Sequence, residues 1–208
     1  MPDWRPGRGD IAAIVLAAGA SRRFGSDKLL HPITLQGVTL PLAAHSLRPW
    51  LETFGHVTVV IRPMSEKFCS TVEAALGATK SAQIRWIECE DAAQGMAFSL
   101  ACGVRANLGA GGWLIGLADM PAMPIAAIAG VRKALLIGAV LAAPTRDDRR
   151  GHPVGFAAEY RDELLALRGD TGARRILERD INNLAEINIE DAGIFADIDV
   201  PDDLKSCQ

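Results

Sequence analysis

"IVLAAGASRRFGSDKLL" (residues 14–30) opens as a buried strand and ends in a stretch rich in Gly, Ser, Arg and Lys. Its first half has no alternation of apolar and polar residues. A strand covered on both faces requires that composition, because it has no solvated side. Similar runs recur at 11–18, 56–62, 83–89, 112–118 and 138–144. Between them, helical spacing of apolar residues predicts helices at 39–52, 65–76, 95–108 and 124–137, with Pro124 suited to a first helical turn. Alternating strands and helices of this kind predict an α/β fold: a doubly wound, mostly parallel sheet with helices on both faces. After residue 144 the rhythm changes. "TRDDRRGHPVGF" (145–156) reads as a charged turn between two short apolar pieces, which predicts an antiparallel excursion. A helix within 159–169, the segment 170–180 and a strand at 184–189 follow, and 196–206 reads as a strand end leading into a capped helix.

Composition limits what such a chain can do. With 208 residues, 49% of them hydrophobic, one compact domain spanning 1–208 is expected, and no repeat or linker divides it. A net charge of −3 gives no reason to expect nucleic acid or an anionic membrane as a partner. The first ten residues, "MPDWRPGRGD", lack an apolar signal core, and no run approaches the roughly 20 apolar residues that span a bilayer. Cys69, Cys89, Cys102 and Cys207 form no metal or redox spacing and read as reduced, mostly buried cysteines of a cytoplasmic protein.

In an open α/β sheet, ligands gather at the carboxyl ends of the strands. The first strand ends near Ala18, so residues 19–28 occupy that edge. Gly19 and Gly25 let the backbone turn and bring its N–H groups close to a ligand, and Arg22, Arg23 and Lys28 add cations. That chemistry suits a phosphate group; a solvated, charged loop is the plain alternative. Neither GxxxxGK[ST] nor GxGxxG is present, so this is neither a P-loop nor a dinucleotide loop.

The stretch resembles the signature LAAGxSxRxGxxK of the MobA-like nucleotidyltransferases, through Leu16, Ala17, Ala18, Gly19, Ser21, Arg23, Gly25 and Lys28. "QGMAFSL" (94–100), "LADMP" (117–121), "GHPVGF" (151–156), "GDTGAR" (169–174) and "DIDVPDDL" (197–204) resemble further family segments in order, so the likeness covers almost the whole chain. Within the family the combination looks most like the molybdopterin cytidylyltransferases.

The resemblance implies a Rossmann-like nucleotidyltransferase that moves CMP from CTP to molybdopterin with Mg²⁺ and releases pyrophosphate. Joining a nucleotide to a phosphorylated acceptor requires in-line attack on the α-phosphorus, so the protein must align two anions and neutralise charge. Arg23 and Lys28 would hold the triphosphate, helped by N–H groups around Gly19 and Ala20, in a nucleotide site that includes Leu16, Ala17 and Ala18. Asp119, delivered by the strand before it, would hold the metal, with Asp199 or Asp197 as second carboxylate. Gly95 and Ser99 would border the base, and the methyl of Ala18 leans toward the smaller pyrimidine. On the acceptor side stand His152, Arg149 or Arg150, and Arg174; Asp170 reads as a helix N-cap. Two rival readings remain open: the same chemistry with GTP or another nucleotide and a different phosphorylated acceptor, or a non-catalytic carrier that hands the finished cofactor to a molybdenum enzyme.

Overall fold

The computed structural model describes residues 6, 7, 9–19, 24, 27–200, 202 and 203. Strand β1 (Ile11–Leu16) is followed by a small separate hairpin of β2 (Pro32–Leu35) and β3 (Val38–Pro41), then α1 (Leu42–Thr53). Next come β4 (Val57–Ile61), α2 (Glu66–Leu76), the short α3 (Ala78–Ser81), β5 (Ile84–Glu88), α4 (Met96–Ala106), β6 (Gly112–Leu117) and α5 (Ile125–Leu136). The last part contains β7 (Leu141–Arg146), β8 (Arg149–Arg150), β9 (Val154–Ala157), α6 (Arg161–Ala166), α7 (Arg174–Arg179) and β10 (Leu184–Asn188).

The main sheet runs in the order β10-β7-β9-β6-β1-β4-β5, with β8 paired to β7. Strands β5, β4, β1 and β6 are parallel neighbours, and β10 is parallel to β7. Strand β9 runs against both β6 and β7. This is the expected mostly parallel sheet with its antiparallel excursion. The turn between β7 and β8 uses Asp147 and Asp148, both at positive φ (51° and 58°), which matches the twist of a two-residue hairpin.

Burial on both faces explains the apolar runs. In β1 and just beyond it, Ala13, Val15 and Ala17 join one core, shared with α1, α2 and α5. Ala12, Ile14 and Leu16 join the other, shared with α4, α6 and α7. Each β1 side chain therefore leaves water in one layer or the other. Trp50 of α1 lies directly over Gly116 of β6, where any Cβ would collide with the indole, so the helix can rest on the bare strand.

Several boundaries move. The helix expected at 39–52 begins at Leu42, because residues 38–41 pair with 32–35 as β3. Buried His45 accounts for the tie between them: its Nε2 lies 3.2 Å from the Ile33 carbonyl and 3.1 Å from that of Val38. The strand expected at 138–144 starts at Leu141, and Pro124 precedes rather than opens α5. No strand forms at 196–200; those residues run as an irregular arm. Of the three described cysteines only Cys89 is buried. Among the described residues no helix is long and apolar enough to cross a membrane.

Candidate active site

Register brings three loops to one edge. Leu16 pairs with Leu117 on one side and Val60 on the other. The ladder continues past the strand ends, with the Ala118 N–H donating to the Leu16 carbonyl (3.0 Å) and the Ala17 N–H to that of Val60 (2.8 Å). Ala18, Asp119 and Arg62 therefore leave the sheet side by side. Around them lies a cleft of about 630 Å³ whose walls include Leu16, Ala17, Ala18, Gly19, Lys28, Gly95, Ser99 and Asp119.

Lys28, buried at 7% exposure, is the cation at the centre. Its Nζ donates to Asp119 Oδ2 at 2.9 Å and to Asp199 Oδ1 at 3.3 Å. Burial by itself would push the lysine pKa down, but the Asp119 and Asp199 carboxylates outweigh it and the value rises. Lys28 is therefore charged throughout the neutral range. Asp119 Oδ1 is buried and has no hydrogen-bond partner among the described residues. Asp199 arrives on the C-terminal arm, which is tied down by the Ile198 N–H donating to the Asp119 carbonyl at 3.0 Å. Asp197 stands nearby and stays exposed, yet packing around its carboxyl and repulsion from Asp119 and Asp199 raise its pKa. Of the two candidate second carboxylates, Asp199 is the one joined to Asp119 through Lys28.

The opposite wall forms where α4 begins. Gly95 has φ +127°, and a Cβ there would come within 2.5 Å of both the Gly169 carbonyl oxygen and Asp170 Oδ1. The Ala97 N–H donates to the Gly169 carbonyl at 3.1 Å, so "GDTGAR" acts as a brace for the start of α4. Asp170 is not the N-cap of α7, which is Ala173; it lines the cleft. Ser99 sits in the same wall, one turn into α4 and buried. Gly19, by contrast, has an ordinary φ and open space at its Cα, so the backbone does not demand glycine there. A bare Cα simply leaves the cleft edge clear.

A smaller cavity of about 220 Å³ adjoins the cleft across Leu16, Met96 and Leu117, and is bordered by Arg150, His152 and Arg174. His152 Nδ1 is buried with no hydrogen-bond partner among the described residues, and burial lowers its pKa despite the pull of Asp119, so the ring is neutral. Arg149 is turned away, its guanidinium 4.5 Å from the centre of the Phe195 ring. Arg174 pairs with Glu178 at 2.6 Å on the exposed side of α7.

Ala20, Arg22, Arg23 and Gly25 lie outside the described residues. Among the wall residues the sequence reading missed are two charged ones, Arg62 and Asp170. Arg62 carried a usable signal, since it directly follows an apolar strand run at the ligand-binding edge. Asp170 carried none, because its position depends on a long-range contact with Gly95.

A parallel-sheet edge that gathers a lysine, aspartates and a glycine-opened wall around one nucleotide-sized cleft is the frame of a nucleotidyltransferase. Residues 13–185 match the family model described as MobA-like NTP transferase domain, and the chain belongs to that family. It is 32% identical over 209 residues to the purine catabolism protein PucB of Bacillus subtilis (strain 168), covering 93% of each chain. It also superposes on the Rv0371c homolog from Mycobacterium sp. strain JC1 with a TM-score of 0.75 at 25% identity, covering 96% of this chain and 98% of that one. Rv0371c of Mycobacterium tuberculosis H37Rv, solved in complex with manganese, has the same fold, with a TM-score of 0.72 at 20% identity over 95% and 97% of the two chains.

Proposed function

We propose that the protein transfers CMP from CTP to molybdopterin in the cytoplasm, releasing pyrophosphate, with a divalent ion, Mg²⁺, at Asp119 and Asp199. The observation that carries this reading is the Asp119–Lys28–Asp199 arrangement at the mouth of a nucleotide-sized cleft. Lys28 and the signature-loop residue Arg23 hold the triphosphate, and the bare edge at Gly19 lets backbone N–H groups reach it. Gly95 and Ser99 flank the base. Ala18 puts a methyl group into the cleft wall, which favours a pyrimidine over a purine.

The donor set suits a hard divalent ion. Asp119 offers a carboxylate oxygen that no group among the described residues satisfies, Asp199 a second carboxylate, and both are hard oxygen ligands. When bound, such an ion neutralises charge on the phosphate oxygens. The manganese complex of the mycobacterial fold relative is consistent with this use of a divalent ion. Arg150, Arg174 and neutral His152 border the adjoining cavity, where they bind the acceptor and orient its phosphate.

The test is pyrophosphate release by the purified protein with molybdopterin, Mg²⁺ and each of CTP, GTP, ATP and UTP. Release with CTP above the other three supports the reading. Binding of a nucleotide without any release would replace it with a carrier role, and release with a different acceptor alone would move the acceptor assignment.

A further inference from the structure

We propose that Arg62 binds the leaving pyrophosphate, in a separate cavity on the flank of the nucleotide cleft opposite the acceptor. This rests on the reading that the cleft takes a nucleoside triphosphate. The cavity measures about 310 Å³ and shares Ala17, Leu29 and Arg62 with the cleft. Arg62 leaves β4 level with the end of β1, as the Ala17–Val60 hydrogen bond shows, and it lines both spaces. Beyond it the cavity is bordered by Ser65 and Lys67, with Asp27 the one carboxylate among its described lining residues.

Two features assign a ligand to this space. The first is position. The acceptor cavity shares Leu16, Met96 and Leu117 with the cleft and lies on the β6–β9 side of β1, whereas the Arg62 cavity lies on the β4–α2 side, and among the described residues the two have no lining residue in common. In the transfer, an acceptor oxygen bonds to the α-phosphorus as the bond from that phosphorus to the α–β bridging oxygen breaks, and the bridging oxygen departs with the electron pair as pyrophosphate. Attack and departure lie roughly in line, so the leaving group needs space across the cleft from the acceptor. The second feature is charge. Arg62 and Lys67 make no ion pair among the described residues, so two cations are available against one carboxylate. A planar guanidinium suits two phosphate oxygens at once, which pyrophosphate presents.

Calorimetric titration of the intact protein with magnesium pyrophosphate, CMP and CTP tests the assignment, using wild type, Arg62→Ala, Arg62→Lys and Lys67→Ala. Arg62→Ala is expected to weaken pyrophosphate binding by about tenfold to a hundredfold while CMP binding stays within about twofold. Arg62→Lys should recover part of the loss, and Lys67→Ala should lose less than Arg62→Ala. Should alanine destabilise the fold, Arg62→Gln removes the charge at similar size and carries the same expectation. Unchanged pyrophosphate binding in Arg62→Ala overturns the proposal. An equal loss of CMP binding also overturns it, because Arg62 would then be a contact of the nucleoside. If wild type binds CTP normally but not pyrophosphate, only the proposal fails; if it binds no nucleoside triphosphate, the reading of the cleft fails as well.

Discussion

Lys28 and Asp119 show how one contact constrains chemistry. A buried ammonium is costly unless partnered, and here two carboxylates partner it. Because its folded pKa is raised above the ordinary 10.5, its contribution to stability is complete below that value and is lost only as pH climbs through the folded one. The triad is thus intact at neutral pH. Replacing Asp119→Asn keeps the shape but removes the charge, and turnover is expected to fall by about a hundredfold or more, measured as pyrophosphate release. Asp197 has the opposite sign. Its folded carboxyl holds its proton more tightly than the unfolded one, so ionisation costs stability once pH rises above the ordinary 3.8. Asp197→Asn is therefore expected to melt higher than wild type at pH 7, with the difference closing as pH falls toward 3.8; thermal unfolding across that range checks it.

Elements were legible to different degrees. The strands of the parallel core were read from apolar content alone, since burial on both faces leaves little else they could be. The β2–β3 hairpin was not. Its Gln36-Gly37 turn, both residues at positive φ (50° and 75°), lacks the usual Asn-Gly or Asp-Gly pair, and Leu40 and Leu42 prolong the apolar spacing of the helix behind it. Two glycines mark where elements meet. Gly116→Ala would drive a methyl into Trp50, and a destabilisation of about 1 to 3 kcal/mol is expected in denaturant unfolding. Gly95→Ala meets both a strained φ and the Gly169 carbonyl, so the start of α4 must shift; affinity for the nucleoside triphosphate should drop by about tenfold or more in a binding titration.

Over the whole molecule, the C-terminal arm connects stability to the site. Ile198, 1% exposed, anchors the arm in the core while its N–H holds the Asp119 backbone and Asp199 follows next in the chain. Ile198→Ala is expected to cost about 2 to 4 kcal/mol in denaturant unfolding. At the proposed metal site it should also shrink the rise in melting temperature expected with Mg²⁺ or Mn²⁺, because Asp199 loses its support. Strand periodicity, the order of strands and helices and the chemistry of the signature loop were all present in the linear chain, because each depends on neighbours a few residues apart. The resemblance implied that Lys28, Asp119 and Asp199 share one site, but the direct pairing of Lys28 with Asp119, 91 residues away, and with Asp199, 171 residues away, was not legible. Nor was the placing of Arg62 and Asp170 on the cleft wall. Those positions depend on β1 lying between β4 and β6, on the brace between Gly169 and α4 and on the seating of Ile198, and such long-range packing leaves no local periodicity to read.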